Sequence, residues 1–136
     1  MQLTGQIVLP DRIVAGTIDF DATGIHAVTP QASAPARYIL PGFIDGHVHG
    51  GDGADTMDGV EAIHRLSRFH LTHGTTTILP TPITAPRADV MAALHPVAQA
   101  PQTAPATGPN IHGAHLVGPF LTPHQPRAPP PSAIPP

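Results

Sequence analysis

Two histidines separated by a single residue, His47 and His49, follow an apolar run that reads Tyr38-Ile39-Leu40-Pro41-Gly42-Phe43-Ile44-Asp45. On an extended strand, residues i and i+2 project to the same side, about 7 Å apart along the chain. Both imidazoles, with Asp45, are therefore expected on one side of a strand end. Two neutral imidazoles so placed can ligate one divalent metal, and zinc is the common choice for nitrogen donors. The alternative is a pair of partly exposed histidines beside a glycine-rich loop, because ten His in 136 residues make chance pairs frequent. The context favours ligation: an expected buried strand precedes the pair, and Gly50-Gly51-Asp52-Gly53 after it lets the backbone turn away and keeps the site open.

The elements that must position such a pair can be read along the chain. From Gly5 to Val28, the segments QIVL, IVAGTIDF and GIHAV, with the turn Asp21-Ala22-Thr23-Gly24, predict hairpins of a small antiparallel sheet. The polar, Pro-bearing stretch TPQASAPAR is a connector, and the run from Tyr38 to Asp45 is expected to be a buried strand delivering side chains at its C-terminal end. Val60, Ile63, Leu66 and Phe69 recur at helical spacing, which predicts a helix over 58–73 with Asp58 as N-cap and Gly74 as stop. His73 is expected to cap that helix end, where a cation favours the dipole. Thr75-Thr76-Thr77-Ile78-Leu79 is a β-branched strand ended by Pro80, and the residues Pro80 to Pro82 read as a turn. A second helix is expected from Thr84, with Pro86 in its first turn, Val90, Ala93 and Leu94 inward, and an end by Pro96. The segment AQAPQTAPATGP reads as a loop, and Asn110 to Val117 as a third core strand. Strand, helix, strand, helix, strand at this spacing indicates βαβ units, a parallel sheet and an α/β fold.

Composition narrows the function classes. Eleven of the 19 Pro lie in residues 101–136, so the front of the chain has the Pro density of a folded domain and the end does not. The six cations, Arg12, Arg37, Arg65, Arg68, Arg87 and Arg127, are scattered in a chain of net charge −3, which argues against nucleic acid as a partner. Without cysteine there is no disulfide framework, thiolate metal site or cysteine nucleophile. No apolar run approaches the roughly 18 residues that a membrane helix needs, and the start lacks the features of a signal peptide, so a cytoplasmic protein with no membrane partner is expected.

LPGFIDGHVHG resembles the first barrel strand of the amidohydrolase superfamily, whose metal-dependent hydrolases carry an H-x-H pair at that strand's end. HGTTTILPT followed by GAHLVGPFLTP is more specific, and together the three motifs resemble the N-acetylglucosamine-6-phosphate deacetylases over residues 1 to about 134, aligned with the beginning of those enzymes. The resemblance implies a composite architecture: residues 1–40 as part of a small β-sandwich, and residues 41–136 as the first three βα units of a (β/α)8 barrel with a Pro-rich end. It implies hydrolysis of N-acetylglucosamine 6-phosphate to glucosamine 6-phosphate and acetate, a divalent metal with zinc as the expected ion, an amino sugar phosphate as the small-molecule partner, and a homo-oligomeric full-length protein. In such enzymes the metal polarises the amide carbonyl and lowers the pKa of bound water, while an Asp from a late barrel strand moves the proton. His47 and His49 match the first metal-ligand pair, and no residue of this chain matches the catalytic Asp.

Two positions depart from the pattern. The motif HLEGPF supplies a Glu ligand where this chain has Val117, a side chain with no lone pair to donate. The Gly-Ala-His segment that touches the sugar corresponds to Arg127-Ala128-Pro129, so Ala128 and Pro129 stand in a degenerate substrate loop. His115 is expected as a hydrogen-bonded core histidine rather than a ligand. A whole barrel takes about 250 residues, so the 136-residue chain is expected to be a truncated barrel, inactive and poorly stable by itself. Two alternatives stand beside this reading: another amidohydrolase of dihydroorotase or deaminase type, and a non-catalytic pseudoenzyme fragment that depends on a partner.

Overall fold

A computed structural model of the chain describes residues 1–104 and 108–117, and within it the chain divides into two units, Met1–Pro41 and Gly42–Pro136. In the first, β1 (Gln2–Val8), β2 (Ile13–Asp21) and β3 (Gly24–Pro30) form the expected antiparallel meander. A two-residue β4 (Tyr38–Ile39) adds to β1 in parallel, giving the order β3-β2-β1-β4. Alternation along β1 and β2 buries Ile7 and Ile18. The β2–β3 turn is closed by Asp21, whose carboxylate accepts from the Thr23 amide and hydroxyl and lies 2.8 Å from His26 Nε2. The Thr23 hydroxyl first, and then His26, hold that carboxyl below its ordinary pKa.

The run from Tyr38 to Asp45 is not one strand. It breaks at Pro41-Gly42, leaving β4 in the first sheet and β5 (Phe43–Val48) in the second. Proline cannot donate to a ladder, and at Gly42 any Cβ would fall on the Thr76 side chain, so the break occurs where a paired strand is least tolerated. Nor is β5 buried as expected. Phe43 and Ile44 are 58% and 74% exposed, because β5 is an edge of the described sheet, with order β5-β8-β9, and pairs there only with β8.

After β5, β6 (Gly50–Gly51) and β7 (Ala54–Asp55) form a small hairpin whose turn holds Asp52 and Gly53 at φ 51° and 70°, the left-handed region that such turns require. A one-turn 3-10 helix at Thr56–Asp58 leads into α1 (Val60–Thr72). Asp58 therefore does not cap α1. It completes a capping box with Asp55 one turn earlier, and Gly59 precedes the helix. The far end follows expectation: His73 is the C-cap, its Nδ1 within 3.0 Å of the Phe69 carbonyl, and Gly74 takes φ 90°. Phe69, expected inward, is instead 37% exposed and rests against His70 and His73.

Strand β8 (Thr75–Pro80) pairs in parallel with β5 and with β9 (Asn110–Ile111), so the parallel βαβ arrangement expected from the element spacing is present. Helix α2 (Arg87–Thr103) runs well past its expected end, with Pro96 and Pro101 inside it. Pro96 frees the carbonyl of Ala92, an exposed residue where water can serve it, while Ala93, Val97 and Ala100 bury one continuous face. Burial on that face outweighs the proline penalty, and the residues 98–103 expected as loop become helix. His64, buried on α1, donates from Nε2 to the Ala100 carbonyl at 3.0 Å and ties α1 to this last turn of α2. The third strand is shorter than expected. Regular pairing ends at Ile111, although His112 and His115 still donate backbone N–H bonds to Ile78 and Pro80 of β8. Val48, Ile63, Leu66, Ile78, Val97, Ala100 and Ile111 form the core between this sheet and the two helices.

Candidate metal centre

His47 lies in β5 and His49 just beyond its end, and their Nε2 atoms are 3.1 Å apart. Simple strand spacing would keep the two side chains further apart. The β5–β8 register slips between Asp45 and Val48, where three steps on β5 match two on β8, and such a bulge re-aims side chains. The rings meet edge to face, with centroids 4.8 Å apart and planes at 75°. Asp45 does not join them. Its carboxylate turns back to accept the His47 backbone N–H at 3.1 Å.

What fixes the pair is a buried threonine between two prolines. Thr81 is 0% exposed, and its carbonyl accepts from Nδ1 of His49 at 2.8 Å. A carbonyl can only accept, so Nδ1 carries the hydrogen and Nε2 presents its lone pair, the tautomer a metal-ligating histidine needs. The Thr81 backbone N–H donates to the Val48 carbonyl at 2.7 Å, while its hydroxyl oxygen receives the Val48 N–H at 3.0 Å. From the other side Thr56, also 0% exposed, gives its hydroxyl to the Val48 carbonyl and its N–H to the His49 carbonyl. The peptide linking the two histidines is thus clamped at both faces. Neither threonine stands out by sequence pattern, since Thr81 lies inside what reads as a turn. The available signal was Pro80-Thr81-Pro82 itself: with prolines on both sides, Thr81 supplies the only N–H of the three.

Replacing Thr81 with Val leaves the buried Val48 N–H without its acceptor, which is expected to cost about 1–3 kcal/mol. Chemical denaturation would register that loss, and a Thr81→Ser variant, keeping the hydroxyl, should recover most of it.

His115, expected as a buried core side chain, is only half-buried. Its ring lies nearly parallel to that of His47, with centroids 4.8 Å apart and 28° between planes, because the chain leaves the strand after Ile111 and crosses the end of β8 instead of entering the core. Val117 is also half-buried, and its carbonyl accepts from Thr84 Oγ1 at 3.1 Å. Ala128 and Pro129 lie outside the described residues.

The geometry tests the pair as metal ligands. Two nitrogens each about 2.0–2.1 Å from a tetrahedral zinc lie roughly 3.3 Å apart, close to the 3.1 Å between the two Nε2 atoms. The pair fits two positions of such a site. Among the described residues, no group of three or more His, Cys, Asp or Glu is placed to hold a metal. The pair by itself offers two nitrogen donors. A separate shallow groove, lined by Asp52, Arg65, Arg68, Phe69 and Thr72, contains the 2.9 Å ion pair between Arg65 and Asp52 and no histidine. No helix among the described residues is long and apolar enough to cross a membrane.

Comparison with known proteins gives this geometry a setting. The model of the amidohydrolase family matches residues 38–129. The chain is 41% identical over 85 residues to an N-acetylglucosamine-6-phosphate deacetylase of Vibrio furnissii, covering 62% of this chain and 21% of that protein. It is 38% identical over 97 residues to an N-acetylgalactosamine-6-phosphate deacetylase of Escherichia coli O157:H7, covering 71% of this chain and 26% of that protein. Among solved structures, it is similar to the N-acetylglucosamine-6-phosphate deacetylase of Thermotoga maritima, with a TM-score of 0.78 and 27% identity over 90% of this chain and 33% of that one. A Mycobacterium smegmatis deacetylase in complex with N-acetyl-D-glucosamine-6-phosphate matches with a TM-score of 0.74 and 26% identity, again over 90% and 33%. The chain thus spans about a fifth to a quarter of these curated relatives and a third of the solved ones.

Proposed function

The chain belongs to the amidohydrolase family, and we propose that it carries the N-terminal part of a metal-dependent deacetylase of N-acetylglucosamine 6-phosphate, without the ligand set needed for turnover. In this reading residues 1–40 belong to a small β-sandwich, and residues 41–136 are the first three βα units of a (β/α)8 barrel with a Pro-rich end. One observation carries it: two imidazole nitrogens converge at the C-terminal end of the first parallel strand, where barrel enzymes place their chemistry. The relatives named above are deacetylases of acetylated amino sugar phosphates, which favours this reading over a dihydroorotase- or deaminase-like enzyme. A cytoplasmic location goes with a charged sugar phosphate as substrate, because such a molecule does not cross a bilayer unaided.

His47 and His49 would hold the metal, with zinc favoured by the nitrogen donors. When bound, a divalent ion of this kind polarises a carbonyl and makes hydroxide available near neutral pH. The work of this chain is to fix the ligands: Thr81 sets the His49 tautomer, and Thr56 holds the connecting peptide. Val117 contributes no ligand where the resemblance calls for a carboxylate, and Ala128 and Pro129 replace a polar contact to the sugar with inert side chains. The purified chain, given zinc and N-acetylglucosamine 6-phosphate, is expected to release no acetate above an enzyme-free control. Acetate release that rises with added metal and disappears with a chelator would refute the inactive reading.

A partner-dependent role has its own support in the exposed Phe43 and Ile44 on edge strand β5. Mixing the chain with a polypeptide that supplies the remaining barrel strands should bury these side chains.

A further inference from the structure

We propose that His115 is a positioning residue, setting the plane of the His47 imidazole so that its Nε2 faces that of His49. The inference rests on the reading of His47 and His49 as a metal pair, and it assigns the two rings different means of support. His49 is held by a hydrogen bond from Nδ1 to the Thr81 carbonyl. Among the described residues, the hydrogen-bond and ring partners of the His47 imidazole are His49, through the Nε2 to Nε2 bond, and the face of His115. Because the His49 Nε2 is the acceptor of that bond, His47 must donate from its own Nε2 in the metal-free protein. Binding a metal through both Nε2 atoms would require the His47 proton to pass from Nε2 to Nδ1, by way of solvent, and would abolish this bond. The stacked face of His115 would then be the contact left to orient His47.

His115 is suited to the task. Its backbone N–H is fixed on the Pro80 carbonyl at 3.1 Å, one residue before the Thr81 that anchors His49, so both rings are referenced to the same end of β8. Its ring, half-buried and tilted only 28° from His47, presents a flat surface to that imidazole. The requirement is a planar face, and a phenyl ring should meet it.

The test compares the full chain with His115→Ala and His115→Phe by imidazole 15N chemical shifts in the absence of metal, with a parallel zinc titration. In the unsubstituted chain His47 should show a single tautomer protonated at Nε2. His115→Ala should shift His47 toward averaged nitrogen signals and weaken zinc binding by about tenfold, as loss of outer-shell support does. His115→Phe should restore both, while the His49 tautomer, held by the Thr81 carbonyl, and the thermal midpoint stay unchanged across the series. Unaltered His47 signals in His115→Ala, or a His115→Phe variant as averaged as the alanine one, would overturn the proposal. Failure of the unsubstituted chain to bind zinc at His47 and His49 would sink the metal reading instead, and the metal-free spectra would still decide the role of His115.

Discussion

A Val117→Glu chain is expected to bind zinc more than tenfold tighter than the unsubstituted one. The two imidazoles already supply a pair of nitrogens at ligand spacing, with His49 locked in the ligating tautomer. On the proposed metal reading, what is missing is an anionic third donor. Position 117 follows by two residues the ring that stacks on His47, and Thr84 fastens its carbonyl, so the substitution changes the side chain against a held backbone. Even outer-shell partners of a ligand are worth about 10–100-fold in metal affinity, and a direct carboxylate should give at least the lower figure. Val117→Gln, with the same shape and no charge, should gain much less. Titration calorimetry of the three chains makes the comparison, and equal affinities for Val and Glu would show that residue 117 does not face the pair.

Truncating Leu66 to Ala should unfold the second unit or come close to it. Leu66 is 0% exposed on α1 within the cluster that joins both helices to the sheet, and a large-to-small change at such a site costs about 2–5 kcal/mol. Domains of this size have stabilities of only several kcal/mol, and edge strand β5 leaves Phe43 and Ile44 outside the core. The thermal midpoint should fall by more than about 10 °C, with a rise in hydrophobic dye binding. Met91→Ala, on the exposed side of α2, should stay within about 0.5 kcal/mol of the parent. A Leu66→Ala chain that melts with its parent would mean the helices do not form the core described.

The sequence revealed elements where a single local signal dominated. The spacing of Val60, Ile63 and Leu66 predicted α1, the β-branched run 75–79 predicted β8, and the Asp21–Gly24 turn predicted the β2–β3 hairpin. It failed where tertiary burial competed with a local rule. Pro96 reads as a stop, but buried Val97 and Ala100 carry α2 through it. Pro41-Gly42 reads as part of one strand, but it divides two sheets. The candidate site shows the same division. His47 and His49 were visible as a spacing, whereas Thr81, Thr56 and His115 act through contacts between residues far apart in the chain, which no periodicity records.

The most direct measurement is a zinc titration of the unsubstituted chain followed by the imidazole 15N signals of all ten histidines. The account requires that His47 and His49 respond together, through Nε2, with saturation at one equivalent, and that a His49→Ala variant lose the response. Zinc that shifts other histidines, such as His70 on α1 and His73 at its C-cap, or that leaves His47 and His49 unmoved, would contradict it.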